Sequence, residues 1–432
     1  MTALRVLILD GQTTQALACA RSLGRAGHAV VVAGGQRWPL AGWSRYAAGR
    51  FRVAQESLAG FADVRAWAQR EGVSLVLPMT ERACLLCNAE REAWEAAGIT
   101  LGCAADAQLL RAFDKTQTIR AAEACGVALP PTWLPTSNAE CLAAVEALGF
   151  PCVIKSRFSD VLVGSAVLHG GGVSYVNRLA DLEPAIRKHR QGPHWPIIQG
   201  FVGGVGKGVS GLSDHGRPVA LVAHERLRDV RPSGSGSSLR RSIPLDSRLR
   251  LPVERLLAQL QWHGPVMVEF RDDGGERPVL MEVNGRFWGS IQLAILAGID
   301  VPRWWVSMLD EEPVSPTVAA EGVTVRWLWG DVRRFLRILA GPPRGYPGRY
   351  PTRWQGIKEL LGPQPQGTRL ETWDPSDPWP AVGEWVQGVG ELAGQGLQWV
   401  RKNRAQGAVN FFPRRNRQVP AEGGHQVERA NV

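Results

Sequence analysis

Residues 264 to 290 run GPVMVEFRDDGGERPVLMEVNGRFWGS, and the rest of the chain is read outward from this stretch. Two apolar runs, one through Val266, Met267, Val268 and Phe270 and one from Pro278 to Val283, flank Asp272-Asp273-Gly274-Gly275. That intervening chemistry is a turn signal, so a β-hairpin is expected. Alternate residues of a strand share a face, which puts Glu282 and Asn284 on one side and Met281 and Val283 on the other. A pairing centred near Gly275 brings Glu269 close to opposite Glu282. Facing carboxylates repel, and in a half-buried setting a cation or a shared proton must offset them. Glu269, Glu282 and the Asn284 carbonyl make a hard oxygen set suited to Mg²⁺ (or Mn²⁺) bridging phosphates, and Arg286 adds a planar cation for a phosphoryl group. The competing reading is a solvent-facing hairpin with ordinary surface acids.

The length of 432 residues suggests about three domains. Hydrophobic residues at 44% and charged residues at 21% are ordinary for a globular protein. No apolar run reaches the ~18 residues of a membrane span, and the first residues, MTALRVLILDGQ, lack the basic start and long apolar middle of a signal peptide. A cytoplasmic protein without a membrane span is therefore expected. The 7 cysteines are an odd number scattered through apparent helices and strands, which suits free thiols. Cys84 and Cys87 form a CxxC, but the helical RACLLCNAERE around them favours two buried small side chains over zinc or redox chemistry. A net charge of +10 raises nucleic-acid binding, yet the arginines are dispersed and no basic run is interleaved with aromatics, so none is expected. An anionic substrate would suit the same surface. Lysine is scarce, which makes Lys115 and Lys155 conspicuous.

Residues 4 to 105 alternate buried strands with helices: Leu4 to Leu9, Thr14 to Arg25, His28 to Ala33, Phe61 to Arg70, Val73 to Pro78, Glu81 to Ala97, Ile99 to Gly102. This is the pattern of a Rossmann-like parallel sheet, whose ligands sit at the strands' carboxyl ends, here Asp10 to Thr14, Gly34-Gly35 and Pro78 to Arg82. DGQTTQA is no dinucleotide fingerprint, and a nicotinamide-dependent oxidoreductase is the weaker alternative. Helices then follow to Leu148, a strand PCVIK delivers Lys155, and a glycine-containing loop, SRFSDVLVGSAVLHGGG, leads to the strand Val173 to Val176. Such a loop suits a lid over a polyphosphate. Gly206 to Gly211 spell GxGxxG, but a turn and a strand follow rather than a helix, so no pyrophosphate loop is expected. RPSGSGSSLRR is read as a flexible loop, either a linker or an anion-binding flap. After Pro313 come a strand Val323 to Trp329, a basic helix Val332 to Leu339 and a weak helix Trp379 to Val400, with disorder expected from Arg401. The helix bearing Arg333, Arg334 and Arg337 is read as covering the core, with an anionic membrane face as the lesser option.

Taken together, residues 4 to 300 resemble the ATP-grasp superfamily, which includes the carbamoyl-phosphate synthase large subunit, biotin carboxylase and D-alanine-D-alanine ligase. The resemblance rests on LRVLILDGQ, FDKTQTIRAAEACGVALPPT, FPCVIKSR, PIIQGFVGGVGKGVSGL and above all VMVEF with LMEVNGR. EVNGRFWGS and HERLR look most like bacterial proteins described as predicted ATP-dependent carboligases. It implies an α/β chain: a Rossmann-like domain (1–105), an ATP-grasp central or lid subdomain (106–195), a metal- and ATP-binding subdomain (196–312), a C-terminal α+β extension (313–400) and a tail (401–432). It also implies that Lys115 and Lys155 contact the nucleotide phosphates and that Gln199, Gly200, Phe201 and Val202 meet the adenine. Glu269, Glu282 and Asn284 would then hold Mg²⁺, and Arg286, with Lys155 and Asn284, would serve the transferring phosphoryl group. The chain departs from the family in its hinge, where Gln199-Gly200 and Gly203-Gly204-Val205 stand in place of the usual ribose-binding acids.

The activity implied is ATP-dependent joining of a small carboxylate to an amine, or less readily a thiol, through an acylphosphate. Thr80, Arg226, Arg231 and Ser235 are the expected acceptor-pocket residues, and a homodimer is the assembly considered. A nucleotide-binding protein without turnover is the alternative that the missing ribose acids suggest.

Overall fold

The computed structural model describes residues 3 to 410, with side chains through residue 394. Five short strands open the chain: β1 (Arg5–Ile8), β2 (Ala29–Gly34), β3 (Ala47–Arg52), β4 (Leu75–Leu77) and β5 (Thr100–Leu101). They pair in parallel in the order β3-β2-β1-β4-β5. The runs Val6–Ile8 and Val30–Ala33 are buried because helices cover both faces of such a sheet. β3 is the strand that periodicity does not reveal: AAGRFR is an edge strand with alternating exposure and two arginines. The helix Thr14–Arg25 starts where the Thr13 side chain accepts from the Ala16 N–H. The single helix expected over Glu81 to Ala97 is broken into Glu81–Asn88 and Arg91–Ala96.

The central sheet consists of β6 (Thr132–Trp133), β7 (Cys152–Lys155), β10 (Val173–Val176) and β11 (Ile197–Gly200), antiparallel in the order β10-β7-β11-β6. Between β7 and β10, the expected lid loop contains its own hairpin, β8 (Asp160–Val163) with β9 (Ala166–His169). Cys152, Ile154, Val176 and Ile198 face inward onto the helices Asn138–Leu148 and Leu182–His189. The opposite face carries Val153, Lys155, Tyr175 and Gln199, as the register dictates.

The largest sheet has seven strands: β12 (Val205–Asp214), β13 (Arg217–Arg231), β14 (Ser235–Ile243), β15 (Gly264–Asp272), β16 (Val279–Asn284), β17 (Thr324–Arg326) and β18 (Arg369–Leu370). Their order is β16-β15-β12-β13-β14-β17-β18. Val209, Val266, Val268, Phe270, Leu280 and Val283 share one face and bury it against the helix Ser247–Leu260. Each fully buried leucine on that helix, Leu249, Leu256, Leu257 and Leu260, contributes roughly 1.5–3 kcal/mol. The other face, with Glu269 and Glu282, is left for chemistry. Met267, Phe287, Trp288 and Trp305 pack into the core of the first sheet, so the segment that follows β16 lies against that sheet.

One expected loop is strand: the Ser/Gly stretch is the β13–β14 hairpin, in which Arg231 pairs with Ser235 around Pro232-Ser233-Gly234. The GxGxxG of Gly206 to Gly211 lies within β12. The strand expected to reach Trp329 stops at Arg326, and a helix takes over at Leu328–Ala340. Arg334 on that helix is buried, donating to the Asp229 carbonyl at 2.7 Å and pairing with Glu359 at 2.6 Å, so the helix packs on β13 and does not lie free for a membrane surface. A further helix, Arg353–Leu361, follows. The chain divides into a unit ending at Glu384 and a second beginning at Trp385. The helix Trp379–Asn410 continues through the first ten residues of the tail expected to be disordered, and the rest of that tail lies outside the described residues. Among the described residues no helix is long and apolar enough to cross a membrane.

Candidate functional site

β15 and β16 pair so that Glu269 lies directly opposite Glu282 and Met267 opposite Asn284. A regular ladder from Arg271↔Val279 and Phe270↔Leu280 would set Glu269 against Met281 instead. A β-bulge between Glu269 and Phe270 shifts the register by one residue and swings Glu282 onto the face of Glu269. Across the same sheet the neighbours of Glu269 and Arg271 are Gly208 and Gly206. A Cβ on Gly206 would lie 2.9 Å from Arg226 Cδ, and one on Gly208 would lie 2.4 Å from His224 Cε1. Gly206 therefore clears space for Arg226, which crosses the sheet to Glu269, and Gly208 clears space for His224.

Each carboxylate has its own polar partners. Arg226 pairs with one oxygen of Glu269, and Asn284 Nδ2 donates to the other at 3.3 Å. Arg286 Nη2 donates to Asn284 Oδ1 at 3.1 Å. Lys115 Nζ lies 3.3 Å from Glu282 Oε1 and 3.2 Å from Ser159 Oγ. Burial pushes Glu282 up, but Lys115, Lys155 and Arg286 outweigh it and hold the carboxyl below its ordinary range. Lys155 is pushed down to about 8 by burial, with Glu282 opposing and Lys115 adding to the fall. Arg226 and Lys115 thus offset the repulsion between the acids when no other cation is present. The donor set fits a divalent ion: two carboxylates and an amide on one sheet face are the hard oxygens that Mg²⁺ takes.

Asp114 explains why Lys115 points where it does. Its carboxylate caps the helix Lys115–Ala124 by accepting from the Thr116 N–H at 3.0 Å. It also accepts from Arg157 Nε at 2.8 Å and Nη2 at 2.6 Å. The acid of FDK and the arginine of KSR are therefore partners that tie the two lysine-bearing segments together. The resulting cleft is lined by Lys115, Lys155, Ile197, Gln199, Leu280 and Glu282, with apolar walls and a charged end.

Residues 201–330 match the family model described as ATP-grasp in the biosynthetic pathway with Ter operon. The structure resembles N5-carboxyaminoimidazole synthetase from Staphylococcus aureus, at 13% identity, TM-score 0.56, and 74% and 80% of the two chains covered. It likewise resembles biotin carboxylase from Campylobacter jejuni in a complex with β,γ-ATP, at 14% identity, TM-score 0.58 and 74% of each chain. L-amino acid ligase from Bacillus licheniformis aligns at 18% identity, TM-score 0.53, over 70% of this chain and 73% of that one. The chain has the ATP-grasp fold. No curated protein sequence matches it.

At the hinge of this ATP-grasp chain, Gln199 is buried, with Nε2 donating to Thr132 Oγ1 at 2.8 Å, and the Gly200 N–H donates to the Pro131 carbonyl at 2.9 Å. The Phe201 ring packs against Tyr175 at 6.2 Å and Tyr346 at 6.1 Å, and Tyr175 meets Tyr346 at 5.1 Å. Tyr175 also donates its hydroxyl to the Ser233 carbonyl at 3.3 Å. The Gly345 carbonyl accepts from Asn177 at 3.1 Å, and Arg344 pairs with Asp181 at 2.9 Å. The Gly/Pro/Tyr-rich segment around 341 to 351 is thus a strap from the C-terminal extension, fastened to β10 and the segment that follows it.

The expected acceptor residues are dispersed. Thr80 caps the helix Glu81–Asn88, accepting from the Ala83 N–H at 3.2 Å, on the rim of the first sheet. Arg226 belongs with Glu269, while Arg231 and Ser235 are exposed at the β13–β14 tip near β10. Nearby, Asp10 is pushed up to about 6 by burial, with Thr80 and the Met79 N–H pulling the other way. Sequence reading did not single out Arg271, and it placed Glu81 only as part of the Pro78 to Arg82 rim. Arg271 follows Glu269 by two, and strand alternation could have placed it on the same face; its Nη1 donates to the Gly204 carbonyl at 2.7 Å. Glu81 opens a helix at the carboxyl end of β4 and approaches Arg286 at 3.7 Å.

Proposed function

We propose that this protein is an ATP-dependent carboxylate–amine ligase that works through an acylphosphate on a small carboxylate. The observation that carries the reading is Glu269 directly opposite Glu282, with Lys115 and Lys155 at the same charged end of a cleft below the hinge. Glu269, Glu282 and Asn284 would hold Mg²⁺ or Mn²⁺, which supplies charge neutralisation for the phosphates of the substrate ATP. Lys155 and Lys115 bind the triphosphate, and Arg286 stabilises charge on the phosphoryl group as it transfers. Phosphoryl transfer asks little covalent work of a protein, so positioning and charge carry the catalysis. Gln199 to Val202 line the base end, and the carboxylate and amine enter from the rim of the first sheet. Seven unpaired cysteines suit a reducing compartment such as the cytoplasm. Names of similar structures, with ligases and a carboxylase among them, support the class of reaction.

The test is release of ADP and phosphate from Mg²⁺ and ATP in the presence of pooled carboxylates and amines. Release that depends on both substrates is expected. A nucleotide-binding protein without turnover, favoured by the Gly203-Gly204 hinge, predicts ATP binding and no release with any pair.

A further inference from the structure

Glu81 has features that a structural role leaves unexplained. An acid in the first turn of a helix is common, since it faces the positive end of the helix dipole, but such acids sit in water. Glu81 is 6% exposed. One carboxylate oxygen is 3.7 Å from Arg286 Nη2, and the other is buried with no hydrogen-bond partner. The Arg286 Nε–H is likewise buried and unpartnered. Buried polar atoms are nearly always satisfied, and one left open beside a reaction centre marks a place for a ligand atom. The charges around Glu81 are Arg286, Lys115, Glu282 and Asp160. Glu81 therefore stands on the first sheet's side of the arginine assigned to the transferring phosphoryl group. On that side a small pocket lined by Pro78, Gly102 and Cys103 reaches Arg286.

We propose that Glu81 accepts the proton of the amine that attacks the acylphosphate, an inference that rests on the ligase reading above. The amine nitrogen donates its lone pair to the acyl carbon, forming the C–N bond and a cationic nitrogen. That nitrogen gives one proton to the free oxygen of Glu81. The bond from the acyl carbon to the phosphate oxygen breaks, with its electron pair leaving on phosphate, and Glu81 passes the proton to the departing phosphate. The sum is acylphosphate plus amine giving amide plus hydrogen phosphate. Burial, the dominant influence, raises the Glu81 carboxyl above its ordinary range, while Arg286 and Lys115 pull it back, which suits a group that must both take and return a proton.

Hydroxylamine separates this role from a positioning one, because it is uncharged at neutral pH and attacks acylphosphates without a strong base. The experiment compares the wild type, Glu81→Gln and Glu81→Asp with Mg²⁺, ATP and a carboxylate that supports ADP release, using either hydroxylamine or a primary alkylamine as nucleophile. Amide formation by Glu81→Gln is expected to fall roughly 10²–10⁴-fold, the usual worth of a general base, with hydroxamate formation falling far less. Raising the pH should recover part of the amide rate in that variant. Equal loss of both products would assign Glu81 to holding Arg286 and overturn the proposal, as would no loss of either. If thermal melting shows Glu81→Gln unfolded, Glu81→Asp decides: slowed amide formation with near-normal hydroxamate supports the role, and parallel rates contradict it. Absence of ADP release by the wild type with every carboxylate overturns the ligase reading itself, a result distinguishable from failure of the Glu81 role.

Discussion

The two ends of the proposed nucleotide cleft are built from different materials. At the phosphate end the contacts are mostly between charges, Arg226 with Glu269 and Lys115 with Glu282, with Asn284 and Arg286 joined to Glu269 and Lys155 beside them. At the hinge end they are three rings and a few carbonyl hydrogen bonds, around Tyr175, Phe201 and Tyr346. Charge near a phosphate acts on the reaction, because charged partners stabilise the phosphoryl group as it moves. Ring packing is non-directional and contributes to holding the lid and the base, uniformly through the reaction. Damage to the first end should therefore appear in turnover, and damage to the second in affinity.

The largest expected effect is at Glu282. Glu282→Gln keeps the shape and removes the charge; turnover measured as ADP release should be abolished, with a melting temperature close to that of the wild type. Wild-type rates in this variant would contradict the metal assignment. Lys155→Ala should come next, lowering kcat/KM for ATP by about 10–100-fold, since a hydrogen bond to a charged group is worth about 1.5–3 kcal/mol. Lys155 also gives a pH dependence whose sign is fixed: pushed down to about 8, it is charged below that pH and loses its charge above it. The kcat should accordingly fall as the pH climbs through about 8, and Lys155→Arg should keep a flat kcat across the same range. A limb that persists unchanged in Lys155→Arg would place the titration elsewhere. The smallest effect is expected from Tyr346→Ala. Loss of ring contacts worth about 0.5–1.5 kcal/mol each should raise the KM for ATP several-fold with kcat nearly intact. A kcat loss as large as that of Glu282→Gln would erase the distinction between the two ends.

The same contrast explains what could be read from the chain. The phosphate end lies largely within residues 264 to 290, where strand alternation and one turn signal bring Glu269 near Glu282. Even there the bulge that sets the register is a backbone event that residue identity does not announce. The first sheet was legible from its buried apolar runs, apart from β3, whose arginines give it the look of a loop. The hinge end draws on Tyr175, Phe201, Ser233 and Tyr346, four separated segments, and no local period connects them. The Ser/Gly hairpin was misread for a related reason: its small residues suit a flexible loop by composition, but a partner strand on each side, β13 and β17, holds β14 in the sheet. Glu81 lies in the expected Pro78 to Arg82 rim but was not singled out, because its meaning depends on burial against Arg286, more than 200 positions away in the chain.

The most direct test of the central claim uses a substrate carboxylate labelled with ¹⁸O. Activation as an acylphosphate predicts that one labelled oxygen moves from the carboxylate to the inorganic phosphate for each amide formed, and that Glu282→Gln transfers none. Phosphate released without the label, or no release from ATP with any carboxylate and amine, would contradict the account.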